Sequence, residues 1–203
     1  MDRFIDLLRH GEPRGGGRFR GGSEDPLSPV GLARMQATVA GAGDSGGDGR
    51  PPWDLVVTSP TRRCSAFAEA LALGRRLPLE SWPALGERGW GDWEGCSADQ
   101  IPAEDLSRFW ADPVGFTPPG AEPFDLFRRR VLTAWDALRA HPARHPLVVT
   151  HGGALRAILG AVLDMPPAAL ILIEVPYACL TRLRLPAAGR PSLMAHGPCW
   201  GSP

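Results

Sequence analysis

His10 and His151 each stand directly before a glycine and directly after a short apolar run, Ile5-Asp6-Leu7-Leu8-Arg9 in one case and Pro146-Leu147-Val148-Val149-Thr150 in the other. Such runs read as strands buried in a sheet, and Gly11 lets the backbone leave that sheet sharply. In open α/β sheets ligands bind in the crevice outside the strands' carboxyl ends, so two strands that end alike suggest one shared site. Arg9 adjoins His10, Arg62 and Arg63 follow a third apolar run, Trp53-Asp54-Leu55-Val56-Val57, and Glu87 lies in a loop rich in glycine and tryptophan. Guanidinium forks match the geometry of a phosphoryl group and stay charged at any working pH. An imidazole can attack phosphorus or support its charge, and a protonated carboxyl group can release the departing oxygen and then activate water. The set suffices for phosphoryl transfer without a metal. His10, His151 and Glu87 could instead be metal ligands, but the abutting arginines would repel a cation.

Composition narrows the classes. The 203-residue chain has 22 basic and 22 acidic residues, so no global field draws it to nucleic acid or to an anionic membrane. Every basic residue is Arg, and Lys and Asn are absent, which excludes a Schiff-base lysine and a Walker-type phosphate loop. Cys64, Cys96, Cys179 and Cys199 are scattered without a C-x-x-C pair, an argument against a zinc knuckle or a dithiol redox site. No apolar run approaches the ~18 residues of a membrane span, and the N-terminus shows no basic segment followed by a long apolar core. The expected setting is the cytoplasm, and the expected organisation is one domain over residues 1–203.

Strands alternating with amphipathic helices, and apolar on both faces, predict a three-layer α/β/α sandwich with a mostly parallel sheet. Ser28 caps a helix that opens at Pro29 and ends near Gly41. A second helix runs from Thr61 to Leu73, with Arg62 and Arg63 in its first turn, where cations oppose the helix dipole and a bound anion would compensate. Leu77–Glu80 reads as a short strand. Phe124–Ala140 is a clear amphipathic helix, with Arg128, Arg129 and Arg130 assigned to its solvated face. Gly153–Leu163 is the helix after His151. Leu170–Val175 and Tyr177–Leu185 read as an antiparallel pair at the sheet edge, with a last strand at Ser192–His196. Between them lie a glycine-rich lip, residues 14–25, carrying Arg14, Arg18 and Arg20, and a proline-rich lid over residues 97–120. Gly43-Asp44-Ser45-Gly46-Gly47 matches the letters around a serine-protease nucleophile, but in a low-complexity linker it reads as spacer.

Five motifs in order carry a family resemblance: Arg9-His10-Gly11-Glu12; Ser59-Pro60-Thr61-Arg62-Arg63-Cys64; Leu85-Gly86-Glu87; Gly91-Asp92-Trp93-Glu94-Gly95; and Thr150-His151-Gly152-Gly153. Together they resemble the histidine phosphatase superfamily, the phosphoglycerate mutase-like fold. That resemblance implies that His10 is the nucleophile, that Arg9, Arg63 and His151 hold the phosphoryl oxygens with the backbone N–H of Gly152, and that Glu87 is the proton donor, with Glu12 and Glu94 as alternatives. Arg62 falls one residue before the family's arginine. It implies no cofactor or metal, and a small phosphorylated metabolite as partner, with a homodimer left open. Many members carry an Asn after R-H-G-E, whereas this chain has Pro13 and a glycine-rich run, so Arg20 or Ser23 is the expected replacement at the phosphate. R-H-G-E-P followed by G-G-x-x-R-G and D-P-L-S is most similar to the α-ribazole phosphatase branch. A phosphoglycerate mutase and a silent phospho-ligand binder are the competing readings. Phe19, Phe109, Trp110 and Phe116 are the aromatic faces expected to receive a flat base, and Glu104, Asp105 and Asp112 are expected to repel an anionic acid such as phosphoglycerate.

Overall fold

The computed structural model describes residues 1–42 and 52–197, so the Gly43–Gly47 segment and Cys199 lie outside the described residues. Six strands form one sheet: β1 (Arg3–Arg9), β2 (Leu55–Thr58), β3 (Leu79–Ser81), β4 (Pro146–Thr150), β5 (Leu180–Leu185) and β6 (Ser192–Gly197), in the order β3-β2-β4-β1-β5-β6. The first four are mutually parallel, and β5 and β6 close one edge antiparallel. Among the described residues there are five α-helices, α1 (Pro29–Gly41), α2 (Arg62–Arg75), α3 (Ala103–Ala111), α4 (Phe124–Ala140) and α5 (Gly152–Val162); α1, α2, α4 and α5 cover the sheet.

The layers follow from alternation along the central strands. Leu7, Val57 and Val148 pack with Phe127, Trp135, Leu155 and Ile158 of α4 and α5, whereas Leu8, Val56, Leu147 and Val149 pack with Met35, Val39, Phe67 and Ala68 of α1 and α2. Both faces of β1, β2 and β4 are therefore buried, the pattern a parallel sheet requires. A third cluster, Trp93, Ile101 and Phe109 with Phe19, Trp90, Leu106 and Phe116, joins the lip to the lid that contains α3.

Helix ends behave as the sequence predicts at α1, where the Ser28 hydroxyl accepts the Gly31 N–H and Pro29 occupies the first turn. The edge differs from expectation. Pro167–Leu172 is a 3₁₀ segment, and the antiparallel partners of β5 are β1 and β6. The cause is packing: Leu170 fills the gap left by Gly160 of α5, where an added Cβ would lie 2.1 Å from Leu170 Cδ2. Gly11 also serves otherwise than expected. It lacks a positive φ, but a Cβ there would lie 2.2 Å from the Gly31 carbonyl oxygen, so the residue is needed for the close crossing of β1's exit loop over the start of α1.

Candidate active site

Parallel register brings the chemistry together. The His10 N–H donates to the Thr150 carbonyl and the Ser59 N–H to the Val149 carbonyl, each at 2.9 Å, so the exits of β1, β4 and β2 stay side by side beyond the strands. The His10 and His151 rings meet edge-on with centroids 5.1 Å apart. His10, 5% exposed, lies at a cleft of about 210 Å³ that Arg9, Glu87, Gly152, Arg156 and Tyr177 also line. A larger groove of about 530 Å³ between α1 and α2 is lined mainly by apolar side chains and none of the candidate residues.

The two histidines are held in opposite tautomers. His10 Nδ1 lies 2.7 Å from the Gly11 carbonyl oxygen. A carbonyl only accepts, so Nδ1 carries the proton and Nε2 keeps its lone pair. Burial, followed by the charges of Arg9 and Arg63, pushes the His10 pKa well below 6.5, which keeps the ring neutral. His151 is wholly buried, its Nδ1 accepting from Arg63 Nη2 at 3.2 Å and its Nε2 lying 2.8 Å from Ser59 Oγ. Since Arg63 only donates, the His151 proton sits on Nε2. Burial, and then His10, Arg63 and Arg9, lower its pKa well below 6.5 as well. His151 has both nitrogens engaged, whereas His10 Nε2 has no partner among the described residues.

The cations are uncompensated. Arg63, 0% exposed, donates to the carbonyls of Ser23 (2.6 Å) and Gly21 (2.7 Å), tying the lip to His151. Arg9 donates to the Val175 carbonyl and stacks 4.2 Å over the Tyr177 ring. The Nε of each is buried without a hydrogen-bond partner, and neither forms an ion pair among the described residues. A buried, unpaired cation costs several kcal/mol, a cost that falls on Arg63; Arg9, partly buried, lines the cleft, whereas Arg63 and His151 sit behind its lining.

Glu87 is placed by the second glycine of the His151 motif. Its Oε2 accepts the Gly153 N–H at 2.9 Å and its Oε1 the Arg88 N–H at 3.1 Å. A Cβ on Gly153 would lie 2.2 Å from Oε1, so only glycine leaves room for the carboxylate. Glu94, the alternative donor, accepts N–H groups from Gly21 (2.7 Å), Ser23 (3.2 Å) and Trp90 (3.3 Å), a staple between lip and loop. His10, His151 and Glu87 do not form a metal-ligand cluster, and no group of three such side chains does so among the described residues.

Arg20 lines the cleft, but its guanidinium is committed to Asp25 (3.0 Å) and to the carbonyls of Gly16 (2.6 Å) and Arg14 (2.9 Å). Ser23 enters through its main chain, as the acceptor for Arg63. Arg62 is exposed, its N–H held by Glu24. Phe19, Phe109 and Trp110 line the cleft, whereas Phe116 packs on Trp93 and Arg108 away from it. Glu104, Asp105 and Asp112 do not line it either: Asp105 pairs with Arg108, and Asp112 Oδ1 accepts the Gly115 N–H. The expected repulsion from these acids therefore has no basis. Three residues escaped the sequence reading: Tyr177, Arg156 and Arg130. Arg156 follows Gly152 by four positions, one helical turn, a spacing that could have identified it. Arg130 is no solvated side chain, since it pairs with Glu122 and donates to three carbonyls of the Glu87 loop.

Known proteins resemble this chain in sequence and fold. The family model for the histidine phosphatase superfamily (branch 1) matches residues 5–196. An adenosylcobalamin/α-ribazole phosphatase of Salmonella typhimurium is 28% identical over 179 residues, 85% of this chain and 86% of that protein. A 2,3-bisphosphoglycerate-dependent phosphoglycerate mutase of Methylobacterium radiotolerans is also 28% identical, over 81% of this chain and 80% of that one. The crystal structure of an α-ribazole phosphatase from Shigella flexneri superposes with a TM-score of 0.84 at 25% identity, covering 98% of this chain and 99% of the other. The match spans all five motifs and the whole sheet, and the chain belongs to the histidine phosphatase superfamily.

Proposed function

We propose that the protein is a metal-independent phosphomonoesterase that works through a phosphohistidine at His10, with α-ribazole 5′-phosphate as substrate. The observation that carries the reading is the tautomer lock: Nδ1–H on the Gly11 carbonyl leaves Nε2 as an unprotonated, unpartnered nucleophile at the cleft. In the first step Nε2 attacks phosphorus in line, the P–N bond forms, the P–O bond breaks, and Glu87 gives its proton to the departing oxygen. In the second, Glu87 takes a proton from water, which attacks phosphorus and releases phosphate from His10. Arg9 and Arg63 offset the charge on the non-bridging oxygens, the principal requirement of a loose phosphoryl transfer.

The substrate assignment draws support from an apolar annex of about 110 Å³ that opens from the same wall, sharing Glu87, Trp90, Phe109, Arg156 and Ile171 with the cleft and continuing to Phe124, Phe127 and Leu170. A leaving group protonated by Glu87 departs at the mouth of that annex, whose largely apolar lining suits a flat uncharged body, with Arg88 and Arg156 its cations. A second reading, phosphoglycerate mutase, is favoured by Arg156: its Nε donates to the Ile173 carbonyl at 2.9 Å, and its Nη groups have no partner among the described residues. Turnover of p-nitrophenyl phosphate, α-ribazole 5′-phosphate and 3-phosphoglycerate, each with and without a chelator, separates the two. The expected kcat/KM for α-ribazole 5′-phosphate exceeds that for 3-phosphoglycerate by at least ~10²-fold, about 2.7 kcal/mol, and chelator changes neither. Comparable values, or mutase activity with 2,3-bisphosphoglycerate, would overturn the substrate and leave the phosphohistidine chemistry in place.

A further inference from the structure

The loop that carries Glu87 has little regular structure of its own, yet its acid must meet a departing oxygen to within a fraction of an ångström. Arg130, on α4, reaches it with all five of its N–H donors in use. Nε and Nη2 form a fork on the Glu122 carboxylate at 2.7 and 2.8 Å. Nη1 donates to the carbonyls of Ala84 (3.0 Å) and Gly86 (2.8 Å), and Nη2 also donates to that of Glu87 itself (2.8 Å). Glu122 grips the far side of the same loop: its N–H donates to the Gly89 carbonyl (2.9 Å), its carbonyl accepts from Arg88 Nε (2.7 Å), and its Oε2 accepts the Gly89 N–H at 3.3 Å. Phe127, one turn earlier on α4, stacks on the guanidinium at 5.0 Å and touches the space beside Gly153 that the Glu87 carboxylate fills. Three carbonyls converging on one cation favour this arrangement of the loop, because another would abandon three partly buried acceptors.

We infer that Arg130, braced by Glu122, is a positioning residue for proton transfer: it fixes the main chain of Glu87 from below while Gly153 fixes the carboxylate from above. The inference rests on Glu87 as the proton donor, and it assigns Arg130 no contact with substrate. A residue that only stabilises the fold would affect all esters alike, whereas one that aims the acid matters in proportion to how much the leaving group needs a proton.

The test compares kcat/KM, which reports the steps through phosphorylation of His10, for a primary alkyl phosphate and for p-nitrophenyl phosphate, in Arg130→Met, Arg130→Lys and Glu87→Gln. Arg130→Met is expected to lower the alkyl ester by ~30- to 100-fold, the scale of an ångström-sized misplacement, and the nitrophenyl ester by under ~3-fold. Arg130→Lys, which keeps the charge if the Met variant does not fold, should show the same asymmetry at about a third of the size. In a Glu87→Gln background, Arg130→Met should cost under ~3-fold on either ester, because the group it aims is gone. Equal losses on both esters, or losses that multiply in the double variant, would overturn the positioning role. Equal losses in Glu87→Gln alone would instead remove the acid, and the clamp's purpose with it.

Discussion

One strand, β1, contributes to two charged clusters, one at its middle and one at its carboxyl end, and they are built on opposite terms. At Asp6 the charge is closed: Arg182 donates to both carboxylate oxygens at 2.8 Å, Trp53 Nε1 adds a third bond at 2.8 Å, and His145 Nε2 lies 3.2 Å away. Burial alone would raise the Asp6 pKa, but the hydrogen bonds and charges of Arg182 and His145 outweigh it and hold the carboxyl below its usual 3.8. At Arg9, three residues on, the cluster is open. Arg63 is buried and Arg9 partly so, neither ion-paired among the described residues and each with an orphaned Nε, and burial together with their charges keeps two histidines neutral. The closed cluster fastens β1 to β5, whereas the open one is, on the proposed function, where the substrate's anion binds. Charge that a fold leaves unbalanced in its interior marks where function is held at the expense of stability.

Perturbing each cluster should therefore change a different observable. Asp6→Asn removes the buried carboxylate charge that Arg182 and His145 face and is expected to lower unfolding free energy by about 3–5 kcal/mol in denaturant titrations, while kcat/KM of the folded protein stays within ~3-fold. Arg9→Met should reverse this, cutting kcat/KM by ~10²- to 10³-fold, about 2.7–4 kcal/mol of transition-state stabilisation, with stability unchanged or raised, because it removes an unpaired cation. A large stability loss in Arg9→Met would mean that this end too is a structural cluster. Orthovanadate, as an oxyanion probe, should raise the stability of the wild-type chain by up to ~2.7 kcal/mol at a hundred times its Kd, and should do so far less in Arg9→Met.

The same site should also show in the pH dependence of stability. His10 and His151 have folded-state pKa values well below 6.5, so above that pH their contribution to stability is complete. As pH falls from 6.5 towards the folded values, the unfolded chain binds protons that the folded chain refuses, and stability declines by about 1.4 kcal/mol per pH unit for each ring. Thermal melts at low ionic strength should show this acid-side slope, and His10→Gln should remove about half of it. A flat profile from pH 6.5 to 5 would mean that the two rings are not held neutral.

Much of this was legible in the sequence because strand ends are local features. Arg9, His10 and His151 could be selected as strand-end residues, the choice of Arg63 over Arg62 and of Glu87 as the donor rests on the motif resemblance, and the α/β alternation that converges them follows from hydrophobic period. What escaped was non-local. Arg130 looked like one of three consecutive surface arginines, and only the path of the Glu87 loop past α4 turns it inward. Leu170–Val175 reads as a strand, and the gap at Gly160 on another element is what draws Leu170 into a buried turn instead. Gly11 reads as a flexible point and Gly153 as a helix start, yet each is required for the volume of a Cβ it lacks, a property of its neighbour more than of itself.

The claim beneath the whole comparison is that His10, with Nε2 unpartnered, forms the covalent bond, and that His151, with both nitrogens engaged, does not. Rapid quench of the enzyme with a labelled phosphomonoester, followed by alkaline peptide mapping, measures this directly. The expected result is acid-labile, base-stable label on the peptide containing His10, absent from His10→Ala and reduced but present in His151→Ala. Label on His151, or acid-stable label on any other residue, would contradict it.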